Sequence, residues 1–258
     1  MMTGTSKNQR VIIFGVRRSG NHALTNWLTN AAEECESTLT PQPSTLSLAH
    51  CFLSPSGKVV HLNELNELDF RSTWKLFKEA RKWTRKCSIL IISFEDIRPS
   101  EYANFRRLSG KEIHIQRSAL EVISSRYHNI NQKAQKGIGW SRQTCDAYFL
   151  ETLRQLHFKG DHSAAQWNYN LWLKDAKWRS NFLKQLDLSH DQMPAHSSVG
   201  GGSSFHGTSG KIESDLSSRL RKVQPSEPWK LFLENMMETE TDLFSEAEKD
   251  ACREFLSE

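Results

Sequence analysis

An α/β fold, with a mostly parallel central sheet flanked by helices, is predicted by three features of the sequence. Short apolar runs alternate with stretches of helical periodicity. The first run ends in a glycine and passes through a short loop directly into a helical pattern. The runs RVIIFG and SILIISF are apolar almost throughout, as strands buried on both faces are.

The strands predicted in chain order are RVIIFG (10–15), KVVHL (58–62), SILIISF (88–94), KEIHIQ (111–116) and, more weakly marked, AQWNYN (165–170). Helices are predicted between and after them. Leu24, Trp27, Leu28 and Ala31 recur at helical spacing, and Trp74–Lys86, Glu121–Asn131, Arg142–Leu156, Trp229–Met237 and Ser245–Leu256 follow. Strand–helix alternation implies right-handed crossovers, and ligands of such sheets bind beyond the carboxyl ends of the strands. Residues 1–9 are expected to be a disordered tail and 10–258 a single domain. Residues 196–210, HSSVGGGSSFHGTSG, are too rich in Gly and Ser for regular structure and read as a flexible loop or linker.

Lys and Arg (34) exceed Asp and Glu (30) by four, and the pI of about 8.8 suits an anionic ligand without requiring one. No long basic run is present and aromatic and basic residues are not interleaved along a strand or helix face, which argues against nucleic acid as a partner. The five cysteines are scattered and form no CxxC pair, so they read as reduced thiols, not as a disulfide framework or zinc site. The polar start of the chain and the lack of any apolar run near ~18 residues predict no transmembrane segment and, by default, a cytoplasmic address.

The most informative stretch is IIFGVRRSGNHAL, residues 12–24. Gly15 and Gly20 have the spacing of a P-loop, in which backbone N–H groups and a helix dipole cradle a phosphate. Where that loop has Lys and then Ser or Thr, this chain has Asn21 and His22, which supply neither the phosphate-reaching ammonium nor the Mg²⁺ hydroxyl. The cations come earlier, as Arg17 and Arg18, whose forks can span two oxygens of a phosphate or sulfate. A second stretch, IHIQRSALEVISSRYHN (113–129), delivers Arg117 to the end of a strand, with Ser125 eight residues later on the next helix.

Together these stretches resemble the cytosolic and Golgi sulfotransferases that use 3′-phosphoadenosine 5′-phosphosulfate (PAPS). Arg18, Ser19, Gly20, Asn21 and His22 look like that family's 5′-phosphosulfate loop, with Arg for its usual Lys and Asn-His for its common Thr pair. Arg117 and Ser125 look like its 3′-phosphate motif. The resemblance implies a P-loop NTPase-like sulfotransferase fold, PAPS as co-substrate and 3′-phosphoadenosine 5′-phosphate as product, with no metal. The donor-binding residues it implies are Arg17, Arg18, Ser19, Gly20, Asn21, His22, Ala23, Arg117 and Ser125, to which a late loop adds Ser203, Ser204 and Phe205. Arg18 is expected to stabilise charge and His22 to donate to a phosphate oxygen.

The resemblance also implies a base just past the third predicted strand, where Glu95 lies 22 residues before Arg117. Asp96 is the reserve, and His61 and Glu64 are further candidates; acidic residues in SFEDIRPSE equally suit a turn or helix start. The segment 167–188, with Tyr169 and Asn170, resembles family scaffold. Trp140, Trp167 and Trp172 are either core or a sugar-stacking platform, and KGIGW within Lys133–Ser141 has the glycines of a lid. The acceptor is expected to be a hydroxyl of a small molecule, a carbohydrate or a glycolipid. The alternatives are a non-catalytic nucleotide-binding module and an atypical P-loop kinase or triphosphatase.

Overall fold

A computed structural model of the chain describes residues 8–42, 50–65, 70–103, 108–135, 145–157, 164–194, 220 and 227–257. They fall into two compact units, one from residues 1–116 and 155–195, the other from 117–154 and 196–258.

The first unit holds a seven-stranded sheet in the order β2-β3-β4-β5-β1-β6-β7. Its strands are β1 (Gln9–Gly15), β2 (Thr40–Gln42), β3 (His50–Leu53), β4 (Val59–Leu65), β5 (Ile89–Glu95), β6 (Lys111–Gln116) and β7 (Ala165–Asn168). β4, β5, β1, β6 and β7 run parallel, as their apolar sequences predict, whereas β2 and β3 form an antiparallel extension. That extension was not legible in the sequence: both strands are too short to show a period, and Pro41 argues against a strand. Pro41 is tolerated because β2 lies at the sheet edge, where a missing N–H breaks no inner ladder.

Helices α1 (Asn21–Glu33), α2 (Phe70–Thr84), α3 (Pro99–Ala103), α6 (Tyr169–Lys174) and α7 (Ala176–Gln185) flank this sheet. On one face Val11, Ile13, Ile89, Ile91, Ile113 and Ile115 pack against Leu24, Trp27 and Leu28 of α1 and Phe182 of α7. Each such side chain, fully buried, stabilises the fold by roughly 1.5–3 kcal/mol. On the opposite face, set by strand alternation, the rings of Phe14, Phe94 and Tyr102 lie 4.9 to 5.3 Å apart. β7 ends two residues earlier than its sequence suggests. Asn168 caps α6, its side-chain oxygen accepting from the Leu171 N–H, and Asp175 caps α7 in the same way.

The second unit is helical: α4 (Ala119–Gln135), most of α5 (Ala147–His157), α8 (Glu227–Thr239), a 3₁₀ turn at Thr241–Leu243 and α9 (Glu246–Ser257). Ser245 and Glu248 form a capping box at α9, the Ser245 N–H donating to Glu248 Oε2 at 2.8 Å. The other carboxylate oxygen accepts from Ser118 Oγ at 2.6 Å and the Leu120 N–H at 3.0 Å, so Glu248 tethers the start of α4 as well. Buried Trp229 of α8 packs on Tyr127 of α4, with ring centroids 4.3 Å apart.

Among the described residues no helix is long and apolar enough to cross a membrane. Burial pushes the Cys87 thiol up to about 11 and the Cys252 thiol up to about 12, in keeping with reduced, inert cysteines.

Candidate functional site

Moving up the α1 face of the sheet, the side chains change from apolar to polar. On β5 Ile89 and Ile91 are followed by Ser93 and Glu95, and on β4 Val59 is followed by His61 and Asn63. A buried polar layer therefore lies at the carboxyl ends of the strands, where β1 also ends in Gly15. Gly15 and Glu95 are register partners on adjacent strands.

The loop after β1 is over-determined. The Val16 carbonyl accepts from the Ser19 N–H at 3.1 Å, from Ser19 Oγ at 2.6 Å and from Asn21 Nδ2 at 3.3 Å. A Cβ on Gly15 would stand 2.3 Å from Asn21 Oδ1, which explains glycine at the end of the strand. Arg18 is held left-handed at φ 76°, a conformation that costs a non-glycine residue on the order of 1–2 kcal/mol. Gly20 follows at φ 117° as the N-cap of α1 and has no side chain to accept from the first turn of the helix. The positive end of the α1 dipole therefore meets the loop with no acidic residue in the helix's own first turn.

Glu95, only 6% exposed, sits against this loop. Its Oε1 accepts from Asn21 Nδ2 at 2.7 Å and its Oε2 lies 3.6 Å from Arg17 Nε. Asp96 has a different role from the reserve base expected of it. Left-handed at φ 60°, it donates its N–H to the Gly15 carbonyl at 3.0 Å, while its Oδ1 accepts the Arg17 N–H at 3.0 Å. It thus ties the loop to the end of β5. Asn21 is oriented by Glu95, since reversing its amide would set oxygen against carboxylate. Among the described residues its Oδ1 is a buried acceptor with no partner, a group that a bound hydroxyl or water would satisfy.

Beneath the loop, His61 Nε2 lies 2.8 Å from Ser93 Oγ, which donates to Asn63 Oδ1 at 2.8 Å. With the Ser93 proton given to Asn63, the His61 bond requires a ring protonated on Nε2. Burial pushes the His61 pKa down to about 3, with a smaller contribution from the charge of His22, so His61 is a weak proton acceptor. Folded, it stays neutral; unfolded, it takes up a proton below pH ~6.5. Stability is therefore expected to fall by up to about 1.4 kcal/mol per pH unit as pH drops from ~6.5 toward 3, and urea unfolding of wild type and His61→Gln at pH 7 and 5.5 checks this. The substitution should flatten the pH dependence over that window.

The remaining predicted residues divide between the units. Arg17, Arg18, Ser19, Gly20, Asn21, His22, Ala23 and Glu95 gather in the first. Arg117 and Ser125 lie in the second, eight residues apart at the start of α4. Arg117 Nε donates to Glu121 Oε2 at 2.8 Å, both side chains being buried, and Ser125 is buried on the same helix. Trp167 and Trp172 are core, their rings 5.3 Å apart and packed with Trp27, and so form no sugar platform. Trp140, the KGIGW segment, and Ser203, Ser204 and Phe205 lie outside the described residues, as does the Glu64 side chain.

Sequence reasoning missed Ser93 and Asn63, which lie inside apolar strands and carry no motif. It also missed Tyr169 as the neighbour of Gly20. Compared with family models, with curated proteins and with solved structures, the chain matches none.

Proposed function

We propose that the chain is a PAPS-dependent sulfotransferase with a P-loop NTPase-like layout. The observation that carries this reading is the braced glycine loop ending β1, with two arginines in it and the Glu95 carboxylate held at its base. Asn21 and His22 at the kinase Lys and Ser/Thr positions favour a sulfonate donor over Mg²⁺-nucleotide chemistry.

In this reading the 5′-phosphosulfate rests on the backbone of Gly20 to Ala23, with Arg17, Arg18 and His22 supplying charge. Arg117 and Ser125 take the 3′-phosphate. The acceptor hydroxyl, of a carbohydrate or another small molecule, attacks sulfur in line. An oxygen–sulfur bond forms on that side while the bond to the bisphosphate oxygen breaks, and the hydroxyl proton passes to Glu95. Arg18 offsets charge on the departing phosphate. The 3.6 Å Arg17–Glu95 contact is loose, and an incoming sulfonate competes for the same guanidinium.

Calorimetric titration with 3′-phosphoadenosine 5′-phosphate and with Mg·ATP tests the donor site. The bisphosphate is expected to bind at least tenfold more tightly than Mg·ATP, and Arg117→Ala and the gentler Ser125→Ala are each expected to weaken it, by about tenfold or more for the arginine. Preference for Mg·ATP, or two variants that bind like wild type, would overturn the reading.

A further inference from the structure

Helix α2 carries a charge imbalance that the nucleotide site does not use. Six of the chain's 34 Lys and Arg, namely Lys75, Lys78, Arg81, Lys82, Arg85 and Lys86, lie between Trp74 and Lys86 with only one of its 30 Asp and Glu, Glu79. This local excess of five is larger than the net +4 of the whole chain, so all other residues together carry one net negative charge. All six basic side chains are exposed.

The opposite face of the helix, Leu76, Phe77 and Ala80, is buried. The basic groups therefore do not result from a helix left without packing; Lys75, Lys78, Arg81 and Lys82 lie on its exposed side, and Arg85 and Lys86 follow just past its end. Lys75, Lys78 and Lys82 follow one another at three- or four-residue steps, a stripe about 10 Å long, and Lys86 lies just past the end of the helix. Like charges at that spacing repel and weaken the helix, so folding does not explain them. Trp74 at the head of the stripe is 46% exposed, with Lys78 Nζ 5.9 Å from its ring centroid, and Lys82 and Lys86 flank the ring of Trp83 at 5.3 and 5.9 Å. Lys82 Nζ lies 3.5 Å from Glu79 Oε2.

We infer that this face of α2 is a docking surface for an anionic lipid bilayer. A flat stripe dominated by lysine, a strongly hydrated point charge on a flexible stem, suits a diffuse negative surface more than a shaped site needing arginine forks. An exposed tryptophan beside it has the amphipathic ring that settles at headgroup level. The contact is electrostatic and shallow, since the apolar face of the helix is already committed to the sheet. This inference stands whether or not the nucleotide reading does.

The test is sedimentation of the full chain with vesicles of phosphatidylcholine alone and with about 30 mol% phosphatidylserine, at low and at raised salt. Binding at least tenfold tighter to the anionic vesicles, lost at raised salt, is expected. The combined substitution Lys78→Glu, Lys82→Glu, Lys86→Glu should abolish it, and the same three positions changed to Ala should reduce it about tenfold, with thermal melts showing both variants folded. Trp74→Ser should weaken binding several-fold and remove part of the blue shift in tryptophan emission. Equal binding to both vesicles, charge-reversed protein that binds like wild type, or binding to single-stranded DNA or a sulfated polysaccharide but not to vesicles would each overturn the inference.

Discussion

On the function proposed above, Gly20→Ala is expected to destabilise the protein by about 2–5 kcal/mol and to abolish binding of the adenosine bisphosphate. Two independent costs add. At φ 117° an alanine backbone is strained by roughly 1–2 kcal/mol. The new Cβ would stand 2.8 Å from Tyr169 Cδ2 and 3.3 Å from Trp167 Cζ3, and overpacking against a buried tryptophan costs about 1–3 kcal/mol. Either the ring of Tyr169 moves or the loop does, and a displaced loop no longer presents its N–H groups together. Urea unfolding and calorimetry on the same preparation measure both effects. Adding Tyr169→Ala should recover the steric part in Gly20→Ala but leave the backbone strain, so about half of the loss should return. Wild-type stability in Gly20→Ala would mean that the loop does not need this conformation.

The second large effect is expected from Glu95→Gln. Glutamine keeps an oxygen for Asn21 Nδ2 but cannot take a proton and loses its charge against Arg17. If Glu95 is the base, sulfonate transfer should fall by roughly 10²–10⁴-fold while bisphosphate affinity stays within a few-fold. A different outcome follows if Glu95 only braces the loop, a role that its contacts with both Asn21 and Arg17 also suit. Stability and nucleotide affinity should then fall together, and any residual turnover at saturating donor should be close to normal. Asp96→Asn separates the two roles further, because Asp96 holds the Arg17 N–H and the end of β1 without entering the proton transfer proposed here.

The elements most legible in the sequence are those whose signal is local. Strands β1 and β5 are nearly continuous apolar runs and β6 is a short run built on Ile113 and Ile115, and the structure places them within a residue of their expected limits. Helix α9 opens at Ser245 because a Ser three residues before a Glu satisfies the helix end from within one turn of chain. The antiparallel edge was not legible, since strands of three and four residues form only where a neighbour supplies the other half of each hydrogen bond. The basic face of α2 was hidden for a related reason. Its lysines are interrupted in the sequence by Leu76, Phe77 and Ala80, and only the helix sorts buried from exposed.

For the candidate site, the sequence alone determined the loop: glycines five apart at the end of an apolar run demand a tight strand-to-helix turn, and the arginines between them are carried by it. Only the tertiary structure decided what the loop rests on. Parallel pairing of β1 with β5 sets Gly15 beside Glu95, so a carboxylate far along the chain meets Asn21 and Arg17, and Asp96 turns left-handed to tie the strand ends together. It also decided that His61, with the polar look of a catalytic group, is buried beside Ser93 and kept neutral by that burial. Turns and helix ends are written in neighbouring residues, because the forces that make them act over a few bonds. Which carboxylate lies under a loop, and which histidine loses its water, depends on strand register and burial, which arise only when the whole sheet has formed.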